Sequence, residues 1–269
     1  MLCSLPPELL DFIADYLHDE LAALRTCCVV SKSWVPRTRK HLFAHVEFHT
    51  VNSPVQLWKK AFPDPSNSPA RHTSSLSFRG FPVVAAADAD VGGWIHTFNR
   101  VIHLRLECLH EEDHRVSLIP FHGLSPAIRS LYLACTHPAV FDLICSFPLL
   151  EDLAFEPFVD MSDNHGWNAP PTSPKLTGSL DLGIPKGGHN HSTVRRLLGF
   201  PDGLRFAKIT VWCFTVTDVE SAMDLVSRCS DTLESLSVGY YVSGVFTPAS
   251  AVGRYLIVTC RYVENATSA

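Results

Sequence analysis

The sequence predicts an α+β or α/β chain in which a small all-helical unit is followed by an α/β solenoid built on a parallel sheet. Two observations predict it. Pairs of apolar residues two apart recur at Leu76/Phe78, Leu104/Leu106, Leu131/Leu133, Leu153/Phe155, Leu180/Leu182, Ile209/Val211 and Leu236/Val238, their starting positions separated by 28, 27, 22, 27, 29 and 27 residues. Ahead of them, a short N-terminal stretch carries three helical patterns with more apolar positions than one packing face needs.

Helix one is marked by "LPPELLDFIADYL", Leu5 to Leu17. Pro6 and Pro7 suit a helix entry, because their fixed φ matches the first turn and the missing N–H has no partner there. Glu8 and Asp11 favour the positive end of the helix dipole. Leu10, Ile13 and Leu17 form one apolar stripe, and Leu9, Phe12, Ile13 and Tyr16 an adjoining one. A second helix begins after Asp19, read as its cap, and carries Leu21, Leu24, Cys28 and Val29. The third starts from Ser31 or Ser33, with Pro36 in its first turn, and runs through Leu42 and Phe43 before "HVEF" turns strand-like. So small a unit buries a low fraction of its surface, so its surplus of large side chains implies either a partner or packing on the rest of the chain.

These residues resemble the F-box. The elements that carry the likeness are Leu5-Pro6, Glu8-Leu9-Leu10, Ile13, Val30-Ser31-Lys32-Ser33-Trp34 and Leu42-Phe43, over roughly residues 4 to 47. The resemblance implies three helices docked on a Skp-type adaptor and, through it, on a cullin-based ubiquitin ligase. The adaptor contacts it implies are Leu5, Pro6, Leu9, Ile13, Leu17, Leu24, Val30 and Trp34. "CCV" in the second helix stands where the family often has a larger aliphatic.

Domain organisation follows as 1–47, a helical unit; 48–74, a Pro- and Ser-rich linker with a short helix around "PVQLWKKAF"; and 75–269, the repeats. In the repeats, alternation turns the paired apolar residues inward and the residue between them outward. Further apolar residues stand upstream at Val101, Ile128, Leu150, Leu176 and Leu233, and helical spacing appears in "AVFDLICSF" and "DVESAMDLVSRC". A strand-plus-helix unit with a period in the twenties resembles an irregular leucine-rich repeat, which implies a curved solenoid with parallel strands on its concave side. Cys108, Cys135 and Cys213 follow the alternation inward and read as core fillers. "DMSDNHGWNAPPTSP" reads as an inserted surface loop. After Val238 only one strand-like run remains, Tyr255 to Thr259, which either caps the array or marks a shortened chain.

Composition excludes several function classes. With 22 basic and 27 acidic residues the net charge is -5, so there is no broad positive field and nucleic acid is not an expected partner. No uncharged apolar run reaches the length of a membrane span. The N-terminal apolar stretch is cut by Glu8, Asp11 and Asp15 and has no basic leader, so it does not read as a secretory signal. Nine cysteines, odd in number and scattered through apolar runs, read as reduced thiols, which points to the cytoplasm and/or nucleus.

Candidate sites are few. His189-Asn190-His191 supplies two imidazoles, fewer than zinc needs, and reads as a polar loop, as do His110 and His114 around "EED". Lys32, Arg37, Arg39, Lys40 and His41 read as the solvated face of a helix. Phosphate-loop and nucleophile-elbow patterns are missing, so no enzyme activity, cofactor or metal is expected. The outward positions of the strands are polar with two aromatics, and Arg105, Tyr132 and Trp212 are the candidate contacts for a target protein. The expected function is substrate recognition within a Skp–cullin–F-box ubiquitin ligase. The alternative is a non-catalytic repeat scaffold whose F-box-like helices only cap the solenoid.

Overall fold

The computed structural model describes residues 5–49, 53–79, 94–107, 118, 121–134, 140–156, 174–184, 190–242 and 254–261. The architecture is α/β, with one nine-stranded sheet that is parallel over eight strands.

Three helices open the chain: α1 (Pro7–Tyr16), α2 (Leu21–Val30) and α3 (Val35–Leu42). Pro6 is the N-cap of α1 and Pro7 its first residue, as the sequence predicts. Neither expected side-chain cap is used further on. Glu20 rather than Asp19 is the N-cap of α2, and Asp19 faces His18 at 3.0 Å instead. Trp34 is the N-cap of α3, while the Ser31 hydroxyl accepts from the Ser33 N–H at 3.3 Å in the preceding turn. Tertiary contact replaces the caps. Thr38, fully buried on α3, shares a hydrogen bond with Cys28 Sγ of α2 at 2.8 Å and donates to the Trp34 carbonyl at 2.8 Å. Asp15 of α1 accepts from Arg37 Nε at 2.8 Å and pairs with His41 Nε2 at 2.6 Å. Arg37 and His41, read from the sequence as solvated, are therefore the clamp between α3 and α1. The bonds from Arg37 and then His41 hold the Asp15 carboxyl well below the usual carboxylate range.

The sheet comprises β1 (His45–His49), β2 (Ser75–Arg79), β3 (His103–Glu107), β4 (Ser130–Ala134), β5 (Asp152–Phe155), β6 (Ser179–Leu182), β7 (Lys208–Cys213), β8 (Ser235–Val242) and β9 (Arg254–Arg261). Strand order equals chain order. All seven apolar pairs anticipated by alternation sit in one register: Leu76, Leu104, Leu131, Leu153, Leu180, Ile209 and Leu236 form one lateral row. Phe78, Leu106, Leu133, Phe155, Leu182, Val211 and Val238 form the next. Val46 and Phe48 of β1 extend both rows, so the sheet begins at His45, upstream of residue 75. The run at Tyr255 to Thr259 lies in β9, which pairs antiparallel with β8 and ends the parallel series.

Between β1 and β2 lie α4 (Ser53–Ala61) and two 3-10 turns, Pro65–Asn67 and Pro69–His72. Phe43 and Phe48 meet Trp58 of α4 edge-on, both at 5.8 Å between centroids, so the first strand and this helix share an aromatic core. Further along are α5 (Val140–Cys145), α6 (His191–Leu198) and α7 (Val216–Arg228). The upstream apolar residues Val101, Ile128, Leu150 and Leu176 are buried in the same core as the strand rows, and Leu233 is half-buried against it.

Cys27, Cys28, Cys145, Cys213 and Cys229 are free thiols. Cys213 is fully buried, and burial pushes its thiol up to about 11, in keeping with a core filler. Cys108 and Cys135, His110 and His114, His189, and residues 160–173 of the inserted segment 160–174 lie outside the described residues. No helix among the described residues is long and apolar enough to cross a membrane.

Candidate functional site

Two surfaces meet the expectations for a site. The first is on the helical unit. Leu9, Phe12 and Tyr16 follow i, i+3, i+7 spacing and so share one stripe of α1, which Leu5 continues at its start. Phe12 is 70% and Tyr16 79% exposed, and at the end of α2 Val29 is 87% and Val30 72% exposed. Residues of this type are rarely left in water together without a partner to cover them. Of the sequence-predicted contacts, Leu5, Pro6, Leu9 and Val30 are exposed, whereas Ile13, Leu17 and Trp34 are half-buried. Leu24 is wholly buried within the unit, facing inward from α2, and offers no surface. Three of the most exposed apolar residues of the unit, Phe12, Tyr16 and Val29, were not in that set; the spacing of Leu9, Phe12 and Tyr16 was the available signal.

No protein-family model, curated protein or solved structure matches this chain.

The second surface is the face of the sheet opposite the apolar rows. Register places Arg105 of β3 beside Tyr132 of β4. The Arg105 guanidinium lies 3.8 Å from the centre of the Tyr132 ring, a cation–π contact, and its Nε also donates to Glu107. Tyr132 donates its hydroxyl to Glu156, and burial followed by that bond pushes the phenol above its usual range. Arg79 of β2 pairs with Glu47 of β1 and, at 3.6 Å, with Glu107 of β3. The resulting chain, Glu47–Arg79–Glu107–Arg105–Tyr132–Glu156, crosses four strands and reaches the end of a fifth. Each charge is fixed by its neighbours, so the face is preorganised before any ligand arrives.

Trp212 does not join this group. It stands on β7, three strands from Tyr132, about 14 Å at the usual strand spacing. Its ring lies over Gly239 of β8, where a Cβ would collide with it. Trp212 is half-buried, and glycine is required across from it because nothing larger leaves room for the indole.

Asn190 and His191 have a structural role instead. Asn190 is buried and His191 opens α6. The Asp218 carboxylate, 1% exposed, accepts from the N–H groups of Asn190 at 3.0 Å, His191 at 3.3 Å, and Phe214 and Thr215 at 3.0 Å each. Thr215 Oγ1 donates to it as well and caps α7 in return. One buried anion thus joins the starts of α6 and α7. Among the described residues no group of three or more His, Cys, Asp and Glu side chains is placed to hold a metal ion.

Proposed function

We propose that the chain is the substrate-recognition subunit of a Skp–cullin–F-box ubiquitin ligase, docking on a Skp-type adaptor through the three N-terminal helices and on a target protein through the polar face of the sheet. It catalyses no step itself. It acts by raising the local concentration of the target near the ubiquitin-bearing enzyme. The observation that carries this reading is the outward apolar stripe of α1, Leu5, Leu9, Phe12 and Tyr16, on helices whose sequence resembles the F-box. In the same reading, the strand-ordered parallel sheet with its in-register leucine rows is an irregular leucine-rich-repeat-like solenoid, and Arg105 with Tyr132 is the centre of its target face.

The test is co-purification with a Skp-type adaptor. The wild type retains the adaptor; Leu9→Asp with Val30→Asp loses it while keeping the wild-type melting temperature, and Arg105→Ala retains it. Failure of the wild type to bind any such adaptor overturns the reading.

One observation favours a second reading, a scaffold whose helices serve as an end cap: α3 packs on the 3-10 turn Pro69–His72, and Phe43 joins the aromatic core at α4. Deleting residues 1–42 separates the two. A lone cap function predicts that the remaining sheet unfolds, whereas the ligase reading predicts a cooperative melt that survives.

A further inference from the structure

We propose a second binding site, where the helical unit meets the first strands, that takes an acidic peptide segment bearing an apolar side chain. It does not rest on the adaptor reading. A groove of about 340 Å³ opens between the end of α4 and the segments that flank it, lined chiefly by Trp58, Lys59, Phe62, Pro63, Trp94 and Thr97. Its floor is aromatic and fixed: Trp58 meets Phe62 at 4.9 Å and Phe98 at 5.4 Å between ring centroids. Ser68 also lines the groove, and its hydroxyl caps the 3-10 turn that carries Arg71 and His72.

Cations gather at that turn. The helix packed on it, α3, brings Arg39 and Lys40, and Arg100 stands three residues beyond Thr97. Arg71 Nε donates to His72 Nε2 at 3.3 Å, and the charges of Arg71, Arg100, Arg39 and Lys40 all act on that imidazole. Burial first, and then those four charges, hold His72 below its usual range. Lys40, Arg71 and Arg100 are exposed, and no ion pair to a carboxylate engages them or Arg39 among the described residues. Four like charges drawn from three separate segments repel one another, and an anion seated among them relieves that repulsion.

An acidic peptide fits better than a nucleic acid. The cluster is local in a chain of net charge -5, so it offers no extended phosphate track. The adjoining groove is sized for an apolar side chain and has an aromatic wall, the combination that anchors a peptide between charged contacts.

Fluorescence polarisation on the full chain tests this with three labelled probes: a Glu/Asp-rich peptide with one central Leu, the same peptide with Ser in place of Leu, and a single-stranded oligonucleotide of equal charge. The Leu peptide is expected to bind with saturation, the Ser peptide at least fivefold more weakly, and the oligonucleotide more weakly still. Arg71→Ser with Arg100→Ser is expected to weaken the Leu peptide at least tenfold without moving the melting temperature, since both side chains are exposed. The proposal is overturned if the Leu peptide does not bind, if the variant binds it unchanged, if Leu and Ser peptides bind alike, or if the oligonucleotide binds as tightly as the Leu peptide.

Discussion

The helical unit and the sheet dispose of apolar side chains in opposite ways. In the sheet, the apolar rows are buried from β1 to β7, as Leu76, Leu133 and Phe78 are, and half-buried at Leu236 and Val238 of β8, and the outer face is a polar ladder. In the helical unit, Ala14 and Leu24 are the buried apolar residues, while Phe12, Tyr16 and Val29 face water. Cohesion there comes from polar clamps, Asp15 with Arg37 and His41, and Cys28 with Thr38. Apolar spacing therefore sets which residues share a stripe, and the size of the unit decides whether the stripe is hidden.

The contrast can be broken at its strongest point first. Leu133→Ala opens a cavity in the sheet core and is expected to cost about 3 kcal/mol, read by denaturant unfolding, whereas Phe12→Ala should change stability by less than about 0.5 kcal/mol. Asp218→Ala leaves the buried N–H of Asn190 and the part-buried N–H groups of Phe214 and Thr215 without their acceptor, and a loss of about 2–3 kcal/mol is expected in the same measurement. Gly239→Ala forces the Trp212 ring off β8, for about 1–2 kcal/mol and a red shift of tryptophan emission as the indole moves into water.

The smallest effect sharpens the comparison from the helical side. The folded Asp15 carboxyl lies below its ordinary 3.8, so its contribution is present above about pH 4 and is lost as the pH falls further. Asp15 is 43% exposed, which keeps that contribution under about 1 kcal/mol. Asp15→Asn is expected to lower the melting temperature slightly at pH 7 and to show a shallower decline below pH 4 than the wild type.

Much of the sheet was legible in the sequence, because alternation marks both the strand and the side that is buried. Tyr132 follows Arg105 by one 27-residue repeat, so their pairing was already implied by the spacing, and so was the distance of Trp212 from both. "HVEF" was legible as strand-like, but its place as the first strand of the sheet escaped because the Pro- and Ser-rich stretch after it reads as a linker, and its partner strand lies beyond that stretch. Helix α6 escaped because its first turn is set by Asp218, a residue 28 positions after Asn190, and no local pattern reports such a bond. The caps of α2 and α3 were misplaced for a related reason, since tertiary contact holds those ends. The cationic cluster is assembled from three separate segments, and only the fold brings them together.

The central claim is that the apolar stripe left outside the helical unit is a partner surface. Calorimetric titration of a purified Skp-type adaptor into the chain tests it most directly. The account predicts saturable one-to-one binding that Phe12→Ala with Val29→Ala weakens at least tenfold while the melting temperature stays put. Absence of binding by the wild type, or an unchanged Kd in the double variant, would contradict it.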